Sequence, residues 1–304
     1  MDTPSIREVA AESSAWAPPL PPAPGFEHLV VESPGLRTHV AAIGEGDPVV
    51  LLHGFPEHWW QWRDIAPELA RAGYRVLCPD LRGTGWTVAD DPRIDRDAHL
   101  RDLLSLLDLL GIERAHLLAH DLGAIGANQL AYAHPERVRS LVQLSVPPFF
   151  MRMSVKVAAG FRHMPALLLH RRGQSLAGLF GPRYVAHPLQ EETKEAYLAP
   201  LTRPAVDDAV RRIFRGIAIP MSGRLAAGYY VRQRLHPPTL AVFGRLDHPW
   251  DEPVIRRLSG DVSRHADRYA FAFVDDAAHF ITDDAPAPVT ALALDWFAAN
   301  GGRG

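Results

Sequence analysis

Four pieces of the chain could do chemistry together, and the first is Ala119-His120-Asp121-Leu122-Gly123-Ala124. An apolar run ending at Ala119 reads as a strand, and a helical pattern begins at Leu122, so the chain must turn sharply between them. Such a turn needs small residues on both sides of its apex, here Ala119 and Gly123. Asp121 occupies the apex. Free amides and the dipole at the start of the helix favour an ionised carboxylate there, the form that attacks carbon. A plain helix cap would use the same residue type, so Asp121 must be judged with its partners.

The second piece is His53-Gly54-Phe55-Pro56-Glu57, placed after a buried strand. Gly54 lets the backbone turn and Pro56 stiffens the loop. The Phe55 and Leu122 amides could then face one spot and stabilise a tetrahedral oxyanion. The third is His279, in Asp276-Ala277-Ala278-His279-Phe280, after the last predicted strand. The fourth is Asp247, in Gly244-Arg245-Leu246-Asp247, after the penultimate strand. A carboxylate on one imidazole nitrogen sets the tautomer that lets the other nitrogen activate water. Asp251, Asp275 and Asp276 read as loop or capping residues. A carboxylate nucleophile also selects the reaction. On an ester or amide it would give an anhydride; on a saturated carbon bearing oxygen or halogen it gives a hydrolysable ester.

These residues need a rigid frame, and strand and helix patterns alternate to supply one. Short β-rich runs at 28–33 and 36–43 flank Pro34-Gly35 and predict a hairpin. Apolar strands follow at 48–53, 75–79, 114–119 and 138–146, with helical patterns at 59–72, 96–110 and 122–133 between them. This repetition predicts a parallel sheet with helices on both faces. From Pro147 to about Pro238 the strand pattern stops, and helical stretches such as 191–199 and 205–217 replace it. It resumes at 239–243 and 269–274, before a terminal helix over about 284–299. A helical insertion there predicts a lid over the carboxyl ends of the strands. The proline-rich first 25 residues read as a loose arm, with order starting near Phe26.

Composition narrows the field. The 304 residues are 47% hydrophobic and 22% charged, ordinary for a folded soluble protein. A net charge of -3 supplies no basic field for nucleic acid. The lone Cys78 rules out an intrachain disulfide and a cysteine zinc site. With no signal-peptide pattern at the start and no membrane-length apolar run, the expected location is the cytoplasm.

The strings HGFPEHWWQWRDIAPELARAGYRVLCPDLRGTG, AHDLGA, GRLD and AAHF, in that order, resemble the Asp-nucleophile branch of the α/β hydrolases, and within it the epoxide hydrolases. The likeness runs from Pro48 to about Ser145 and over 238–299. It implies an α/β-hydrolase fold with a mostly parallel eight-stranded sheet and an inserted helical cap. The division is an arm at 1–25, a core at 26–146 and 238–304, and a cap at 147–237. It also implies two steps: Asp121 attacks to form an alkyl ester, and His279, paired with Asp247, activates water to hydrolyse it. No cofactor and no metal are called for. The partner is a small hydrophobic molecule, an epoxide, handled by a monomer or homodimer with no nucleic acid or membrane involved.

The leaving group decides the remaining parts. Haloalkane dehalogenases hold halide with indole N–H groups, and Leu122 follows the nucleophile here. Fluoroacetate dehalogenases use arginines just after the nucleophile, and 122–130 contains none. Epoxide hydrolases protonate the opening oxygen with lid tyrosines. Gly228-Tyr229-Tyr230-Val231-Arg232 resembles their second tyrosine segment, which makes Tyr230 the expected acid and Tyr229 its rival. Phe161-Arg162-His163-Met164-Pro165 resembles the segment after the first, where only Val157, Ala158 and Ala159 stand upstream. His163 and Tyr184 are the substitutes there, and Phe149 joins the expected pocket. The alternatives are a haloalkane or haloacid dehalogenase, a biosynthetic enzyme in which an internal hydroxyl opens the epoxide, and a non-catalytic ligand-binding homologue.

Overall fold

The computed structural model describes residues 5–151, 164–248 and 250–301. One sheet organises it. Its strands are β1 (Ser5–Glu8), β2 (Glu27–Ser33), β3 (Leu36–Ile43), β4 (Asp47–Leu52) and β5 (Tyr74–Pro79). They continue with β6 (Val88–Ala89), β7 (Ala115–His120), β8 (Val138–Leu144), β9 (Thr239–Gly244) and β10 (Tyr269–Val274). The spatial order is β1-β2-β3-β5-β4-β7-β8-β9-β10, with β6 paired to β3. From β5 to β10 every neighbouring pair is parallel, whereas β1, β2 and β3 join antiparallel.

The apolar runs explain this order. Every residue of β7 and β9 is buried, because helices cover both faces of the parallel part. Helices α1 (Ala66–Arg71), α2 (Arg96–Leu109) and α3 (Asp121–Ala133) are three of those covers. The strand after β4 pairs on one side and β7 pairs on the other. That reversal opens a crevice at the carboxyl ends of β4 and β7, which is where the Phe55 loop and Asp121 emerge.

The sheet has ten strands rather than the eight expected, and the difference lies partly in the proline-rich arm. Order begins before Phe26: β1 pairs with β2 from Ser5↔Glu32 to Glu8↔Leu29. Beyond it the arm is strapped to the core by indoles. Trp86 Nε1 donates to the Pro18 carbonyl (2.6 Å) and Trp60 Nε1 to that of Pro22 (3.0 Å). Prolines remove backbone donors but keep their acceptors, and the tryptophans use those acceptors.

Between β8 and β9 lie the helices Met164–Leu168, Glu191–Leu198, Pro204–Ile213 and Ile219–Ala226, with a π-turn at Phe214–Ala218. The π-turn rests directly on the core. A Cβ at Gly216 would stand 1.8 Å from the Ile94 carbonyl oxygen, so only glycine allows that approach. His58 Nε2 also donates to the Ala196 carbonyl (3.0 Å), and Arg63 Nη1 to the Tyr197 hydroxyl (2.8 Å). Among the described residues, no helix is long and apolar enough to cross a membrane.

Candidate active site

The turn at Asp121 has the shape its neighbours demanded. Asp121 takes φ +42°, a left-handed conformation that costs a non-glycine residue about 1–3 kcal/mol. The helix that follows packs hard against β4: the Gly123 amide donates to the His53 carbonyl (3.0 Å). A Cβ on Gly123 would meet the Leu52 carbonyl oxygen at 2.3 Å. The strained turn thus projects the Asp121 carboxylate into a cavity at the carboxyl ends of the strands.

There three predicted residues meet. His279 Nε2 lies 3.8 Å from Asp121 Oδ1, and its Nδ1 lies 3.1 Å from Asp247 Oδ2. The Phe55 amide donates to Asp121 Oδ2 (3.2 Å), while the Leu122 amide makes no such bond among the described residues. Burial would raise the Asp121 pKa, but His279, His120 and the Phe55 amide together hold it well below the usual carboxylate range. Burial would lower that of His279, yet Asp247 and then Asp121 push it well above the ordinary imidazole value. The rival carboxylates are engaged elsewhere. Asp251 caps a helix through the Val254 amide (3.0 Å), Asp275 pairs with Arg245 (2.7 Å), and Asp276 with His187 (3.0 Å).

The cavity above the three groups is mostly apolar. Leu122, Ile125, Phe149, Ile213, Phe214 and Met221 line it, and Tyr184, Ser222 and Trp250 are also on its wall. Phe149 and Tyr184, both named as pocket residues from the sequence, are on this wall. The Tyr184 ring centre is 6.3 Å from that of His279, and its carbonyl accepts the amide next to that histidine, Phe280 (3.0 Å).

Two expectations fail. Tyr230 does not line the cavity; it is 2% exposed, with Tyr132 and Phe149 ring centres each 4.9 Å away. It begins a short 3-10 turn, Tyr230–Arg232, that carries its ring into the core. Tyr229 faces outward, 44% exposed, with the Arg224 guanidinium 4.5 Å over its ring. His163 lies outside the described residues.

The sequence reading also missed the groups that hold His279. Its carbonyl accepts from His120 Nε2 (2.8 Å) and from the Ser145 hydroxyl (2.9 Å). His120 is held in turn at Nδ1 by Glu57 (2.9 Å), and Ser145 takes φ +58°. Glu57 and His120 lie inside the two motifs quoted above, and that position was the available signal.

A strained carboxylate at a strand–helix turn, an imidazole within reach and a second carboxylate behind it define a class of protein. The chain belongs to the α/β-hydrolase fold family, whose model matches residues 47–286. It is 30% identical to the AB hydrolase superfamily protein YfhM of Bacillus subtilis, over 90% of this chain and 98% of that one. To epoxide hydrolase 2 of Siraitia grosvenorii it is 44% identical over 45% of this chain. That match spans 44% of the plant protein, less than half its length. Among solved structures, Cfl2 of Burkholderia cenocepacia is similar at a TM-score of 0.76 and 26% identity, covering 97% of this chain and 100% of that one.

Proposed function

We propose that this protein is an epoxide hydrolase that converts an epoxide to a vicinal diol through an alkyl ester on Asp121. One observation carries the reading: the Asp121 carboxylate stands 3.8 Å from His279 Nε2, with Asp247 on the other imidazole nitrogen, at the floor of an apolar cavity. The similarity to plant epoxide hydrolases supports it.

The Phe55 amide holds Asp121 Oδ2, which leaves Oδ1 to attack an epoxide carbon. The C–O bond of the ring breaks, and Tyr184, on the cavity wall, gives its proton to the departing oxygen. His279 Nε2 then takes a proton from water while hydroxide adds to the ester carbonyl, and the Phe55 N–H stabilises the oxyanion. Collapse expels the diol and restores the carboxylate. The imidazolium returns its proton to the Tyr184 oxygen, which closes the cycle. Helices between β8 and β9 act as the lid that keeps bulk water out.

The test is His279→Gln incubated with a panel of epoxides, followed by intact-protein mass measurement. A stable adduct mapped to Asp121 is the expected result; unimpaired turnover, or no adduct with any epoxide that the parent protein hydrolyses, overturns the scheme. A second reading is hydrolytic dehalogenation, since a carboxylate nucleophile in an apolar cavity serves a carbon–halogen bond as well. Halide release from haloalkanes with no diol formed from epoxides would establish it instead.

A further inference from the structure

A second cavity of about 350 Å³ lies under the N-terminal arm and shares no lining residue with the catalytic one. Arg7 of β1, Arg37 of β3 and Arg203 of the helical insertion face it, together with His39, Trp16 and Trp86. None of its described lining residues is acidic. We propose that it binds a small organic oxyanion, a carboxylate or phosphate monoester on an aromatic or apolar body.

The charges argue for an anion. Arg203 is half-buried and donates to the Gly85 carbonyl (2.7 Å), yet among the described residues no carboxylate lies within ion-pair distance of it. Burial lowers its pKa, and the Asp80 charge offsets this only in part. That guanidinium has the Asp80 charge only at longer range and, among the described residues, no carboxylate in contact. Arg7 and Arg37 each make one long contact to a rim carboxylate, Glu32 (3.3 Å) and Asp90 (3.2 Å). A guanidinium carries five N–H donors in a fork, so both retain capacity for a bidentate oxyanion.

The remaining groups fix the ligand's body. The Trp16 and Trp86 indole N–H groups are taken by the Ala10 (2.9 Å) and Pro18 (2.6 Å) carbonyls. These rings therefore offer apolar surface rather than donors. His39 is engaged on both nitrogens, by Asp80 (2.8 Å) and His28 (3.0 Å). Asp80 is itself occupied by the Trp59 (2.9 Å) and Trp86 (2.8 Å) amides. The arginines are left as the anion's partners.

The site would also join three parts of the fold. Arg203 directly precedes the helix Pro204–Ile213, whose last residue lines the catalytic cavity. An anion shared by Arg7, Arg37 and Arg203 would tie the arm, strand β3 and the insertion together, and so stabilise the folded chain by mass action.

Benzoate and phenyl phosphate are the probes, titrated into the full chain by calorimetry and by thermal melting. A saturable rise in Tm is expected, and the tighter probe tells which anion the site prefers. Arg203→Gln should weaken binding at least tenfold and leave epoxide turnover without ligand intact. Arg37→Gln, on β3, should weaken it several-fold, and carries the test alone should Arg203→Gln fail to fold. No saturable binding of either probe overturns the proposal. So does equal affinity in both variants, or displacement by an epoxide substrate, which would place the probe in the catalytic cavity.

Discussion

Replacing Asp121 by asparagine keeps the shape of the side chain and removes its charge, as alkylation of the carboxylate would. His279 should respond. Its Nε2 is 3.8 Å from Asp121 Oδ1, while Asp247 lies 3.1 Å from its Nδ1. Both carboxylates raise its pKa against the opposing effect of burial. At that distance and an effective dielectric near 20, Coulomb's law gives roughly 4 kcal/mol. Asp121 is 32% exposed to the cavity, so water screens the pair and this is an upper bound. We expect Asp121→Asn to lower the His279 pKa, because one of the two carboxylates that raise it is gone. NMR titration of the ring protons measures it, with the His279 resonance assigned by its loss in His279→Gln. An unchanged pKa would refute the coupling. Under the proposed scheme, Asp121 as an ester would no longer raise the proton affinity of His279 at the stage where water must be activated.

Further outcomes test the rest of the framework. Burial pushes His58 and His99 down to about 4, from 6.5. Below pH 6.5 the unfolded chain takes up protons that these folded histidines refuse, so their stabilising effect is complete above 6.5 and is lost as pH falls towards 4. Each costs up to roughly 1.4 kcal/mol per pH unit in that window, and urea midpoints at pH 7, 6 and 5 should fall steadily; a flat profile contradicts this. Gly123→Ala places a methyl 2.3 Å from the Leu52 carbonyl oxygen. Overpacking of about 1–3 kcal/mol, with Asp121 displaced and activity lost, is expected by chemical denaturation and rate assay; a stable, active variant argues against the tight turn. Tyr184→Phe should slow single-turnover ester formation at least tenfold. Tyr230→Phe, away from the cavity, should leave that rate within about twofold, and the reverse ranking would restore Tyr230 as the acid.

Much of the fold was legible because its signals are local. Continuous apolar runs at β4, β7 and β9 mark strands covered on both faces, and these three were placed within about one residue, whereas β1 and β6 were not foreseen. The turn at Asp121 was legible for the same reason, since Gly123 and Ala119 are short-range steric requirements. Spacing after strands singled out Asp121, Asp247 and His279 from the many other acids and histidines.

What escaped depends on contacts distant in sequence. The arm's prolines describe only its lack of donors, and nothing local tells that Trp60 and Trp86 will take up its carbonyls. Tyr229 and Tyr230 adjoin in sequence, yet one ring faces solvent and the other the core, a choice made by the helical insertion's packing. The hold of His120 and Ser145 on the His279 carbonyl joins residues 159 and 134 positions apart. Periodicity and turn chemistry act over a few residues, so the chain alone determined the strands, the turn and which groups are candidates for the chemistry. Which side chains enclose those groups, and which hydroxyl faces them, is decided only when the distant segments pack together.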